Sequence, residues 1–254
     1  MDVQGLAAIV TGGGSGLGAA TAKLLASKGA KVALLDVNQE GMDAVAKEIG
    51  GLAIKCDVTD DDAVKAAVDQ ANAAHGVARI VVNCAGVATG ERIVGREAPY
   101  DIGRFRKTVE INLMGTFSVM NYAANAMAKE EPVTDDGERG VIINTASVAA
   151  FDGQVGQAAY SSSKAAVAGM TLPAARELSK FGIRVNTVAP GLMETPMMSG
   201  MPPQVYESLV ATTLFPKRLG KPEEYAELAL HICENSMLNG ETIRLDGSVR
   251  LAPK

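Results

Sequence analysis

Tyr160 and Lys164 stand four residues apart in Ala158-Ala159-Tyr160-Ser161-Ser162-Ser163-Lys164. On a helix that spacing projects both side chains from one face. A phenol titrates near ~10 and is a poor proton shuttle at neutral pH, but a cation held beside it stabilises the phenolate. Lys164 is expected to lower the Tyr160 pKa in this way. Ser147 lies 13 residues before Tyr160, just past the apolar run 141–145, where its hydroxyl can hold an alcohol or polarise a carbonyl. Asn112 interrupts a long helical pattern built otherwise from better helix formers. Alone, each has an ordinary explanation, since tyrosine and lysine meet by chance on solvated helices and a serine after a strand is commonly a cap. Together they suit one reaction, the loss of a proton from a secondary alcohol with Tyr160 as general base, or its reverse.

A second constellation precedes them. Thr11-Gly12-Gly13-Gly14-Ser15-Gly16-Leu17-Gly18 falls between an apolar run and a helical pattern. Glycines there let the backbone turn tightly against a pyrophosphate, and the helix that follows offers unpaired N–H groups and the positive end of its dipole. Asp36 ends the next apolar run, 18 residues after Gly18. Its carboxylate can accept from both ribose hydroxyls of an adenosine and would repel a 2′-phosphate, which favours NAD over NADP. Ser15 and Val37, the nearby side chains, carry no cation to hold that phosphate.

The elements that must position these groups read as alternating strands and helices. Apolar runs at 6–10, 31–36, 52–56, 79–83, 141–145, 183–189 and 241–245 are nearly continuous, as strands buried on both faces must be. Helical periodicity occupies 17–28, 39–49, 61–75, 101–128 and 158–180, with a further amphipathic run at 223–233. Gly29, Gly50, Gly76 and Gly182 mark helix stops. The polar stretch 130–140 reads as a surface loop, and 190–222, rich in proline and methionine, as an irregular substrate lid. The pattern predicts one α/β domain over 1–254, doubly wound, with a seven-stranded parallel sheet between two helix layers.

Composition narrows the partners. The 254 residues carry a net charge of −5, which argues against nucleic acid or an anionic membrane and for a small molecule. Cys56, Cys84 and Cys233 lack CxxC spacing, and His75 and His231 lie outside any ligand motif, so neither a disulfide framework nor a metal is expected. The start of the chain has no leader pattern, and the apolar runs break before the ~18 residues of a membrane helix. A cytoplasmic protein is expected.

Counted as Gly12, Gly16 and Gly18, the glycines resemble the cofactor turn of the short-chain dehydrogenase/reductase family. Asn83-Cys84-Ala85-Gly86 resembles that family's NAG motif, and Cys56-Asp57-Val58 its adenine-binding turn. The resemblance runs over almost the whole chain. It implies that NAD lies against Gly12, Ser15, Gly16, Leu17 and Gly18, with Asp36 on the ribose and Asp57 and Val58 at the adenine. Asn83, Cys84, Ala85 and Gly86 would follow, then Tyr160, with Lys164 on the nicotinamide ribose. Pro190 and the Met193 backbone would lie near the nicotinamide, whose carboxamide meets Thr195. Asn112 is implied to hold a water in a proton relay towards Lys164, and the chain to form a homotetramer through the helices 101–128 and 158–180 and through its last strand and tail.

Longer stretches, 112–117, 140–151, 153–160 and 238–241, resemble the 3-hydroxyacyl-CoA dehydrogenases of that family. That likeness implies an acyl-CoA substrate placed by Gln157 beside Ser147 and Tyr160. One departure stands against it: the resembling enzymes carry a lysine-rich insertion after the NAG motif, whereas 87–99 is slightly shorter and has no lysine. Arg92 and Arg96 would then have to meet the CoA phosphates. Without them a free small diol, cyclic alcohol or steroid becomes the better substrate. A protein that binds NAD without turnover is a third reading, but it would be expected to lose Tyr160, Lys164 or Ser147.

Overall fold

The computed structural model describes residues 1–95, 98–196 and 203–253. Seven parallel strands, β1 (Ala7–Thr11), β2 (Lys31–Asp36), β3 (Leu52–Lys55), β4 (Ile80–Asn83), β5 (Gly140–Thr145), β6 (Ile183–Pro190) and β7 (Thr242–Leu245), form one sheet. Their order is β3-β2-β1-β4-β5-β6-β7, as a single doubly wound α/β domain requires. The order reverses between β1 and β4, which opens a crevice at the strands' carboxyl ends.

Both faces of the sheet are buried because successive strand residues serve opposite layers. Val10, Leu34, Val82 and Ile143 pack with Leu25 of α1 (Gly16–Ser27), Met42 of α2 (Gln39–Ile49) and Tyr225 of α8 (Pro222–Glu234). Their neighbours Ile9, Leu35, Val81 and Ile142 pack with Val64 of α3 (Asp61–His75), Met127 of α5 (Thr116–Met127) and Ala175 of α6 (Ala158–Leu178). Caps fix the helix starts: Asn38 accepts from the Gly41 N–H at 3.1 Å, and Asp60 from the Ala63 N–H at 3.0 Å. Gly29, Gly50, Gly76 and Gly182 follow or end helices at positive φ, as the stop signals require.

Two stretches differ from the sequence pattern. The helix expected over 101–128 is α4 (Ile102–Val109), a π-turn at Glu110–Gly115 and then α5. The π-turn widens the helix where Asn112 sits, with Thr116 Oγ1 donating to the Asn112 carbonyl at 2.8 Å. The stretch 190–222 is not irregular throughout, because Pro203–Thr212 is a helix, α7. Residues 197–202 of the expected lid, with Met197, Met198 and Met201, lie outside the described residues, as does Arg96. Among the described residues no helix is long and apolar enough to cross a membrane.

Candidate active site

The crevice is a cleft of about 620 Å³, and most of the sequence-predicted residues line it. At one end the turn from β1 into α1 is shaped by what glycine lacks. A Cβ on Gly12, which has φ +64°, would stand 2.9 Å from the Ala85 nitrogen. A Cβ on Gly18 would collide with the Gly12 carbonyl oxygen. Gly16 is also left-handed, at φ +52°, and opens α1. Ser15 precedes it without capping it through its side chain. The first-turn N–H groups of α1, at Gly16, Leu17 and Gly18, therefore meet the cleft without a side-chain partner, an arrangement made for a diphosphate.

Asp36 and Asp57 stand at the neighbouring strand ends. Asp36 accepts from the Gly14 N–H on one oxygen and the Asn38 N–H on the other, both at 3.0 Å. It thus ties the glycine turn to the start of α2 while still lining the cleft. Asp57 Oδ1 accepts from the Thr59 N–H at 3.0 Å and its hydroxyl at 2.8 Å. Those two bonds, with help from the Lys107 charge, hold the Asp57 carboxyl below its ordinary range against the opposing effect of burial. Val58 packs where a Cβ on Gly115 would stand only 2.6 Å from its Cγ2, so the π-turn's last residue is glycine for space. The glycine turn and these two carboxylates fit an adenine dinucleotide.

At the other end the groups are buried. Lys164 is 5% exposed and donates from Nζ to the Thr145 carbonyl at 2.8 Å. Burial lowers its pKa to about 8, an effect the Cys84 thiol partly opposes. Tyr160 is pushed above its ordinary value by burial and pulled back only by a hydrogen bond with Ser147. The phenol thus stands raised overall, where the sequence led to the expectation of a lowered one. The Lys164 ammonium is directed at Thr145 and towards Gly86, whose absent Cβ would lie 3.3 Å from it. Ser147 also accepts from the Ala149 N–H at 3.1 Å, which fixes its hydroxyl at the cleft wall.

Around this end Cys84, Ala85, Gly86, Gln157, Pro190, Met193 and Thr195 line the cleft as well. Thr195 lies over the glycine turn, its Cγ2 3.4 Å from where a Gly16 Cβ would be. Gln157 Oε1 accepts from the Gln154 N–H at 3.0 Å, which locks the loop before α6. Cys84 sits beside Thr145 and Tyr225, whose hydroxyls lie 2.7 Å apart, and burial raises its thiol. This sulfur is placed for packing rather than reactivity.

Two expected residues stand behind the lining. Asn83 is 2% exposed and turns its amide to the Asn144 side chain on the next strand, at 2.9 Å. Asn112 is fully buried: Oδ1 accepts from the Val87 N–H at 2.8 Å, and Nδ2 donates to the Val87 carbonyl and the Ser163 hydroxyl, both at 3.0 Å. It clamps the loop after β4 to α6. Sequence reasoning also missed contributors. Lys107 and Ile111 reach the cleft one helical turn apart on the α4 side, a spacing visible in the pattern 101–128. Gln154 and Leu251 line it from a loop and from the chain's end, with no sequence signal to join them.

The family model described as enoyl-(acyl carrier protein) reductase matches residues 12–249. The 3-hydroxyacyl-CoA dehydrogenase type-2 of Homo sapiens is 48% identical over 256 residues, covering 99% of this chain and 98% of the human protein. Its Drosophila melanogaster counterpart is also 48% identical, over 99% of this chain and 100% of its own. The solved structure of a 3-hydroxyacyl-CoA dehydrogenase type-2 from Mycobacterium avium superposes with a TM-score of 0.93 at 43% identity, covering 98% of each chain.

Proposed function

The chain belongs to the short-chain dehydrogenase/reductase family of nicotinamide-dependent oxidoreductases acting on CH–OH groups, and from that premise we propose that it oxidises 3-hydroxyacyl-CoA to 3-oxoacyl-CoA with NAD. The convergence of Ser147, Tyr160 and Lys164 on the cleft that holds the glycine turn carries this reading. Bound NAD supplies the hydride acceptor. Gly12, Gly16, Leu17 and Gly18 would hold its diphosphate, Asp36 the adenosine ribose, and Asp57 and Val58 the adenine. The Asp36 carboxylate at the end of β2 favours NAD over NADP by charge repulsion with a 2′-phosphate.

Ser147 holds the substrate oxygen and Tyr160 takes the alcohol proton. Because burial raises the phenol, Tyr160 is a stronger base once ionised, and the Ser147 bond keeps that ionised form within reach. Lys164 serves the nicotinamide ribose and the proton path. Asn112 acts through Val87 and Ser163 as a positioning residue, keeping the loop after β4 registered on the helix that carries Tyr160. Cys84, Ala85, Gly86, Pro190, Met193 and Thr195, which line the cleft, would enclose the nicotinamide, and Gln157 would face the acyl group.

Identity of about half its residues with relatives named for 3-hydroxyacyl-CoA supports the substrate. Arg92 is the cation that 87–95 offers to CoA phosphates. The lysine-free rim supports a second reading, a dehydrogenase of small free alcohols, diols or steroids. We further place 1–254 as one domain in a cytoplasmic homotetramer. Its three free thiols suit a reducing compartment, and Met114 in the π-turn and Phe117 just after it, 55% and 48% exposed, suit burial against a second copy.

The test is NADH production from 3-hydroxybutyryl-CoA, the free hydroxy acid and a simple secondary alcohol. Clear preference for the CoA ester is expected. Equal or faster turnover of the free compounds sinks the acyl-CoA reading, and NAD binding without any turnover sinks the enzyme reading.

A further inference from the structure

Residues 252 and 253 fold back onto the loop 152–157 that precedes α6. The Val155 N–H donates to the Pro253 carbonyl at 3.0 Å, and Gln154 Nε2 donates to the Ala252 carbonyl at 2.9 Å. Upstream, Arg244 on β7 reaches Asp152 in the same loop, Asp246 at 2.7 Å and the Val249 carbonyl at 2.9 Å. Val249 is fully buried, and Arg250 is drawn to Asp246 at 3.1 Å. These bonds pin the tail on both sides of Leu251. Among the described residues of the last strand and tail, Leu251 is the one that lines the cleft, with Ser147, Gln154, Gln157 and Tyr160 also in its wall.

We propose that Leu251 is the end wall of the substrate pocket and sets the length of acyl chain that the site accepts. This rests on the acyl-CoA reading for its substrate. The glycine turn, Asp36 and Asp57 claim the other end for the dinucleotide, so a chain leaving the reacting carbon beside Ser147 and Tyr160 runs towards the loop 152–157 and the tail. There the side chains of Gln154 and Gln157 are engaged within the protein, and Leu251 offers an apolar surface to the end of a hydrocarbon. The tail is held through backbone carbonyls of Ala252 and Pro253, so the wall stays in place whatever side chain position 251 carries.

Leu251→Ala and Leu251→Phe test this, with kcat/KM measured for four-, eight- and twelve-carbon 3-hydroxyacyl-CoA esters and for a matching series of alkan-2-ols. The alanine variant is expected to raise the eight- to four-carbon ratio roughly 10-fold or more, and the phenylalanine variant to lower it. NADH affinity, read by fluorescence titration, is expected to stay within about 2-fold in both. Ratios that do not move in either series, in folded variants that bind NADH, overturn the proposal. If the wild-type protein oxidises alkan-2-ols but no CoA ester, the acyl-CoA reading fails while the alkan-2-ol ratios still judge Leu251.

Discussion

At the glycine end of the cleft, shape is set by main chain meeting main chain: Gly18 lies against the Gly12 carbonyl and Gly12 against Cys84 and Ala85. At the Tyr160 end, shape and reactivity are set by side chains taken out of water, with Lys164 lowered to about 8 and Tyr160 raised. The first end leaves the N–H groups at the start of α1 unpaired in the cleft. The second accepts the desolvation cost of a buried ammonium in exchange for a group that can work near neutral pH. Substitutions at the two ends should therefore fail differently, one in affinity and the other in rate, pH response and stability.

The largest effect is expected from Gly18→Ala. Its new methyl has nowhere to go against the Gly12 carbonyl, so NADH affinity should fall by at least about 100-fold. Isothermal titration reads this, and near-normal affinity would show that the turn can shift.

Lys164→Met probes the other end through stability. The Lys164 pKa is depressed from 10.5 to about 8, so between these values the unfolded chain holds a proton that the folded chain does not. This residue's share of stability is complete above 10.5, lost as pH falls through 8, and amounts to about 3 kcal/mol across the window. In urea melts at a series of pH values, the wild-type minus Lys164→Met difference should rise with pH across that window. A flat difference would mean the ammonium is not desolvated.

Asn112→Ala should lower kcat by roughly 10-fold, with KM for NAD changed less, because it loosens the loop after β4 from α6 without touching the diphosphate turn. Steady-state kinetics check this, and an equal change in both constants would place Asn112 in binding. The smallest shift belongs to Asp36→Ser. It should narrow the preference for NAD over NADP by about 10-fold, read from kcat/KM with each cofactor; an unchanged ratio would remove Asp36 from selectivity.

The same contrast explains how much was legible in the sequence. Strands such as 31–36 and helices such as 61–75 match their patterns because hydrophobic period and stop glycines are local signals. The glycine turn was readable for the same reason. The π-turn was not, because nothing in Glu110–Gly115 marks one beyond the misplaced Asn112, whose partners Val87 and Ser163 lie far away in sequence. Helix α7 was hidden by the prolines and methionines that flank it. Asn83 faces Asn144 because parallel register sets the two side by side, a pairing that exists only once β4 and β5 are neighbours. Lys107 and Leu251 join the cleft through sheet order and a folded-back tail, which composition and period do not encode.

The division of labour within the cleft is tested most directly by Tyr160→Phe, with NADH affinity and substrate turnover measured on the same preparation. Turnover should fall by roughly 1,000-fold while affinity stays within about 2-fold of wild type. Retained turnover, or a loss of affinity matching the loss of rate, would contradict the assignment of proton transfer to the buried end and binding to the glycine end.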